Sequence, residues 1–243
     1  MKGVKEVKSV ALRIASALAM TVAAFASAGT AQQTTAPNTL TPTEQTSGWK
    51  LLFDGKTIDQ WRGFKQRTVP AGWRVVDGAI AQVADGPDLV SLEEYGGFDF
   101  RFEWKVATGA NSGVMYHVSE TGAETYHTGP EYQVLHNLGH DDGKSPLTSA
   151  AACHSLYAPP RDVTRPVGAW NEGRVVITGN HVEHWLNGEK TVSYELGSAE
   201  WIAKVAASKF NEWKAFGTFA RGRLALQQHG GGVSFRNLKI KVQ

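Results

Sequence analysis

The sequence predicts an all-β protein, a sandwich of two antiparallel sheets carrying one short helix. Three observations lead there. Residues 98–105 alternate aromatic and polar side chains, the period of a strand buried on one face. Turn signals built from Gly and Asn recur between short apolar runs through the rest of the chain. Helical spacing is confined to residues 199–209, where Trp201, Val205 and Ala206 share a face.

Down the chain, Phe98, Phe100, Phe102 and Trp104 form the apolar side of the first clear strand and belong in the core. A turn at 109–112 leads into a strand at 113–118, and residues 131–135 make another. Strands at 174–178 and 181–186 are joined by Gly179-Asn180, a two-residue hairpin link. Asn187-Gly188 is a second hairpin turn, of the kind whose central residues need positive φ. Strands at 223–228 and 233–242 flank three consecutive glycines, Gly230 to Gly232. The many short strands and the 8 Trp and 10 Phe suit a thick two-sheet core.

Composition narrows the function. Of 243 residues, 20% are charged and 42% hydrophobic, as in a folded soluble protein. The 25 Lys and Arg face 23 Asp and Glu, but four of those cations and one acid lie in the first 31 residues. The remainder has 21 cations against 22 acids, so it offers no electrostatic footprint for nucleic acid or an anionic membrane. Residues 1–31 read as a cleaved signal peptide: a basic stretch through Arg13, an apolar run at 14–25, then small-residue triplets at 26–28 and 29–31. That run is shorter than the roughly 20 residues needed to span a bilayer. The expected location is the bacterial periplasm or the medium, with no stable membrane insertion once the signal is removed. Residues 32–47, polar and rich in Thr and Pro, read as a flexible linker. The texture from 48 to 243 is uniform and predicts one domain, whose single cysteine, Cys153, makes no internal disulfide.

Four histidines (His127, His136, His140 and His154) gather between 127 and 154 with Asp141 and Asp142. Their donor types suit a divalent metal ion, although the spacing matches no zinc motif; solvated loop histidines are the plain alternative. Strand alternation puts Glu131 and Gln133 on one face and Tyr132 and Val134 in the core. A carboxyl beside an amide can hold a sugar hydroxyl and move a proton. Likewise Leu224 and Leu226 face inward while Gln227 and His229 face the other way. Together these pairs predict a polar concave face. Retaining glycosidases need two carboxyls about 5 Å apart, and the positions matching the E-x-D-x-E strand of laminarinase-type sandwiches are Glu131, Gln133 and Leu135. Ordinary two-carboxylate hydrolysis is therefore disfavoured, and no G-x-S-x-G or Walker-type loop is present.

Several blocks taken together resemble the 3-keto-disaccharide hydrolase family. They are Leu51, Phe53, Asp54, Gly55 and Lys56 with Trp61; Asn111 to Val114; Gly129 to Leu135; Gly168 to Glu172; Val182 to Gly188; Leu226 to Gly230; and Phe235-Arg236-Asn237. The resemblance spans about residues 48–243. It implies a concanavalin A-like jelly-roll sandwich and substrates that are 3-keto-glycosides, either disaccharides or glucosides. A C3 ketone acidifies the C2 proton, whose loss drives the C1 substituent out by β-elimination before water adds to the enone. On that basis Glu131 or His229 is the base, with the other or His154 as the acid. Asn111, Gln133, Gln227 and Glu183 would bind substrate, and a divalent ion would polarise the ketone. Four positions depart from the family's common pattern: His136 and Gln228, where Asp is usual, and His154-Ser155 in place of Tyr-Asp. A sugar-binding module without catalysis and a conventional glycoside hydrolase are the alternatives.

Overall fold

Two antiparallel sheets carry nearly all the regular structure of the computed structural model, which describes Gly3 and residues 36–243. The signal assigned to 1–31 lies outside the described residues, Gly3 excepted. The first strands are β1 (Trp49–Leu51), β2 (Trp61–Gly63), β3 (Trp73–Val76), β4 (Ala79–Gln82), β5 (Leu89–Tyr95) and β6 (Phe98–Val106). They are followed by β7 (Asn111–Val118), β8 (Glu131–Leu135), β9 (Asn171–Thr178) and β10 (His181–Leu186). The last are β11 (Glu189–Glu195), β12 (Gly222–Leu226) and β13 (Val233–Val242). Two α-helices, α1 (Pro42–Thr46) and α2 (Ala199–Ala206), are short. The larger sheet has eight strands, ordered β11-β10-β9-β6-β13-β4-β3, with β1 also paired to β13. The smaller has five, ordered β2-β5-β12-β7-β8.

Local sequence explains the elements. Gly179-Asn180 closes the β9–β10 hairpin, in which Thr178 faces His181. Asn187 and Gly188 take φ of 51° and 85°, the left-handed pair that a two-residue hairpin requires. Three expectations shift. Asn111 and Ser112 are not in the turn but open β7, paired with Leu135 and Val134, because the chain reverses one step earlier at Gly109. Helix α2 starts on Ser198, whose hydroxyl accepts the Trp201 N–H at 3.1 Å, and stops at Ala206. Lys209 then begins a separate 3-10 turn, Lys209–Glu212, capped by Ser208. The described part of the 32–47 segment is folded and not a free lead-in: Thr41 and Glu44 form a capping box on α1, and the Asn38 side chain accepts the Asn237 N–H at 2.8 Å.

Between the sheets, Phe98, Phe100, Phe102 and Trp104 are all buried, as the alternation predicts. Phe102 meets Tyr132 of the facing sheet edge to face, with ring centroids 5.2 Å apart. Its ring fills the space over Gly173 on the adjacent strand, where a Cβ would stand 2.3 Å from a ring carbon. Gly173→Ala is therefore expected to destabilise the fold by about 1–3 kcal/mol through overpacking. The measurement is a lower denaturation midpoint with an unchanged slope.

A polar network crosses this core. Tyr116 of β7 donates to Nε2 of His184 at 2.9 Å and also bonds the Tyr194 hydroxyl. His184 Nδ1–H reaches the Ala151 carbonyl at 3.3 Å, and the Cys153 thiol donates to Tyr194 at 3.5 Å. Burial lowers His184 to about 4, so it is neutral, and raises the Cys153 thiol to about 12. The lone cysteine is thus a reduced core residue, without thiolate character.

Candidate active site

The outer face of the five-stranded sheet carries an apolar floor: Val90, Met115, Val118 and Ala225 with Phe64, covered in part by Tyr126. Polar groups border it on the β7–β8 side. Glu131 lies opposite Met115, and Gln133 opposite Gly113. Tyr132 and Val134 point into the core, so the predicted facing of β8 is correct.

Beyond β8 the chain returns at 151–154 as a short extension of the sheet. Ala151 N–H donates to the Gln133 carbonyl at 2.8 Å, and His154 N–H to the Glu131 carbonyl at 3.0 Å. Ala151 and Ser155, with φ of 64° and 62°, bracket it in left-handed backbone that non-glycine residues adopt at a cost. The result puts Cys153 in the core beside Tyr132, with His154 buried next to Glu131.

Glu131 is buried at 6% exposure, and its carboxyl folds across Gly113. A Cβ at 113 would lie 2.1 Å from Glu131 Oε1, so only glycine leaves room for it. Burial, reinforced by the charges of Asp88 and Asp142 and opposed by that of Lys209, raises this carboxyl to about 8. His154 moves the opposite way, to about 4, again chiefly by burial and then by the charge of Lys209. The Lys209 ammonium reaches His154 Nε2 at 3.0 Å. An ammonium only donates, so the imidazole accepts on Nε2 and carries its proton on Nδ1, which is buried without a partner.

A second chain of bonds fixes the amides. Gln133 Nε2 donates to Asn111 Oδ1 at 3.3 Å, and Asn111 Nδ2 donates to Asp142 Oδ2 at 3.0 Å. His140 accepts the Asp142 N–H on Nδ1 at 3.1 Å. Gln133 Oε1 is buried without a protein donor, an acceptor facing no partner of its own. Across the floor, Asp88 accepts the Gln228 N–H at 2.8 Å and the Thr125 hydroxyl. Burial raises its carboxyl to about 6. The Gln228 bond ties down the loop after β12 that carries Gln227 and His229, and the Thr125 bond ties Asp88 to the 3-10 turn at Thr125–His127. The Gln227 N–H also donates to the Gly113 carbonyl at 2.9 Å, and the exposed His229 packs edge-on to His140 at 6.2 Å.

Six of the seven predicted residues (Glu131, Gln133, Asn111, His154, Gln227 and His229) thus belong to this face or its rim. Glu183 does not. It projects from β10 on the larger sheet, where it accepts from Trp185 at 2.9 Å and Lys190 at 2.9 Å. The reason is the alternation that buries Val182, His184 and Leu186 and turns Glu183 out on the far side of the sandwich. Of the other histidines, His136 accepts the Gly109 N–H at 3.0 Å and closes a turn, and His127 stacks on Trp213 at 4.4 Å. Asp88 and Lys209 were not anticipated. A Gly-Pro-Asp turn ahead of an apolar run was the available hint for Asp88; no local pattern marked Lys209.

Among the described residues, no three His, Cys, Asp or Glu side chains gather closely enough to hold a metal ion. Those residues do not assemble a donor set that fits the divalent ion implied by the ketone chemistry. A separate cavity of about 580 Å³ opens beside α2, walled by Trp201, Phe210 and Phe216 among others. Its lining includes His117 and Lys214 but no Asp or Glu.

Comparison with known proteins gives the family and supports the fold. Residues 48–241 match the model of the 3-keto-alpha-glucoside-1,2-lyase-like domain. The chain is 34% identical over 228 residues to a 3-keto-disaccharide hydrolase of Bacteroides thetaiotaomicron, covering 80% of this chain and 78% of the relative. A crystal structure from Parabacteroides distasonis, described as a candidate glycosyl hydrolase, superposes with TM-score 0.81 at 34% identity, covering 86% of this chain and 100% of the other. A second candidate glycosyl hydrolase from that organism shares the fold, with TM-score 0.63 at 22% identity over 80% of this chain and 99% of its own.

Proposed function

The chain belongs to the 3-keto-alpha-glucoside-1,2-lyase-like family of carbohydrate-cleaving enzymes, and on that premise we propose that it cleaves glycosides already oxidised to a ketone at C3. The observation that carries this reading is Glu131, one buried carboxyl of raised pKa with no second acid beside it on β8. Of the two other carboxyls near Glu131, Asp88 has both oxygens engaged by Gln228 and Thr125 and Asp142 is held by the Asn111 amide, which argues against a conventional acid–nucleophile pair.

In this reading Glu131, as carboxylate, takes the C2 proton. The C–H electron pair moves toward the C3 oxygen as an enolate. When the ketone re-forms, the pair passes to C1–C2, the bond from C1 to the departing oxygen breaks, and that oxygen takes a proton. Water then adds its hydroxyl to C1 of the enone and a proton to C2, giving the 3-keto sugar. A carboxyl that titrates near 8 is a stronger base than an ordinary glutamate. His229 protonates the departing oxygen; its exposure at the rim supports the role. His154 is assigned no acid step, because it is neutral and its one lone pair already accepts from Lys209. Gln133, Asn111 and Gln227 hold the sugar hydroxyls. The basic and apolar leader supports an exported enzyme, periplasmic or secreted.

The test is release of the aglycon from a 3-keto-glucoside and from its unoxidised counterpart, each with and without chelator. Turnover of the keto form alone, indifferent to chelator, is expected. Turnover of the unoxidised glucoside would favour a conventional hydrolase. Binding of the keto sugar with no product would leave a sugar-binding module.

A further inference from the structure

The proposed reaction develops negative charge on the C3 oxygen in a site that already faces Glu131 with two further carboxyl groups, Asp88 and Asp142. Some group must carry positive charge or donate a strong hydrogen bond to that oxygen. With no fitting metal-ligand set among the described residues, the question is which side chain of this chain can do so.

Building on the function proposed above, we propose that Lys209 is the catalytic electrophile: its ammonium leaves His154 Nε2 to hold the ketone oxygen and stabilises the enolate. Three observations support this. The Lys209 Nζ lies 3.0 Å from His154 Nε2, and the His154 N–H bonds the Glu131 carbonyl at 3.0 Å, so base and cation share one neighbour. The residue is anchored at its root, and its ammonium lies over the Phe210 ring, 5.3 Å from the centroid. Its neighbour Phe210 is buried at 2% exposure and stacks on Phe216 with centroids 4.0 Å apart, while Lys209 itself is exposed. Finally, a neutral imidazole is a weak partner for an ammonium, so the exchange of His154 for a developing oxyanion favours the transition state over the resting site. Lys209 is also the one cation among the charges that act on Glu131 and His154 in common.

Enolate formation can be read apart from bond cleavage. Incubating the full protein with 3-keto-glucose in D2O reports the base and electrophile alone, as deuterium entering C2. Lys209→Met is expected to slow this exchange and kcat on the 3-keto-glucoside by about 10²–10³-fold with KM little changed. Lys209→Arg, which keeps the charge, should recover part of both. Thermal unfolding of each variant checks that the fold is intact, as expected for an exposed side chain.

Exchange by Lys209→Met at the wild-type rate would overturn the proposal while leaving the function in place. So would equal losses in the Met and Arg variants that fall on KM, or wild-type exchange that is lost on chelation and restored by a divalent ion. If the wild type neither exchanges nor cleaves the keto sugar, the functional reading itself has failed.

Discussion

Glu131→Gln is expected to reduce turnover of a 3-keto-glucoside by roughly 10²–10⁴-fold, the usual worth of a positioned general base. The same substitution should make the protein more stable at alkaline pH. The carboxyl titrates near 8 in the folded chain against an ordinary 4.5. Between those values the folded state keeps a proton that the unfolded state has already lost, so stability falls as pH rises through the window. The contribution of Glu131 is whole below pH 4.5 and gone above about 8. Glutamine has the same shape and does not titrate. The variant should therefore match the wild type near pH 4.5 and exceed it by a few kcal/mol above pH 8. Unfolding midpoints of both proteins across that range measure the difference. A midpoint gap that does not widen with pH would show that the buried carboxyl is not at the origin of the effect. In the active wild type, kcat/KM should climb as pH approaches 8, where the base form fills, with Lys209, Asp88 and Asp142 as the charges that set its position.

Gly113→Ala should be nearly as damaging without replacing any ionisable group. The methyl group would occupy space now held by the Glu131 carboxyl, with Oε1 at 2.1 Å and Cγ and Cδ both at 2.7 Å. The backbone of β7 is fixed at this point, since the Gly113 carbonyl accepts from Gln227 and the residue faces Gln133 across the ladder. The side chain of Glu131 is what has to give. A displacement of about 1 Å in a reacting group costs on the order of 10²-fold in rate. The loss should appear in kcat and in the C2 exchange reaction, while circular dichroism and the unfolding slope stay as in the wild type. A fully active Gly113→Ala would mean that the carboxyl works from another rotamer than the one described.

The fold was legible because its cues are local. Aromatic alternation in β6, hairpin dipeptides and the inward turn of Tyr132 and Val134 each follow from neighbouring residues. Glu131 and Gln133 were legible for the same reason. Glu183 shows where that logic stops. Alternation correctly turned it away from the core, but a two-layer sandwich has two outward faces, and nothing in the pattern of β10 tells which one carries the chemistry. Asp88 and Lys209 escaped for another reason. They reach the Glu131 neighbourhood from a turn before β5 and from a 3-10 turn after α2, distant in sequence and without periodic signal. The hydrogen-bonded roles of Gln228 and His136 are likewise matters of loop packing, invisible until the loops are seen.

The side-by-side run of 131–132 and 153–154 divides labour residue by residue. Tyr132 and Cys153 face the interior, while their immediate neighbours Glu131 and His154 face the site. Chemistry and architecture therefore sit on the same two short segments without sharing a side chain. A lineage can try a different residue at 154, such as the histidine found in this chain, while the interior contacts that hold the segment in register stay as they were. The scaffold is in this sense permissive to innovation at one address and resistant at the next, and a library randomised at 131 and 154 should return mostly folded proteins where one randomised at 132 and 153 returns few.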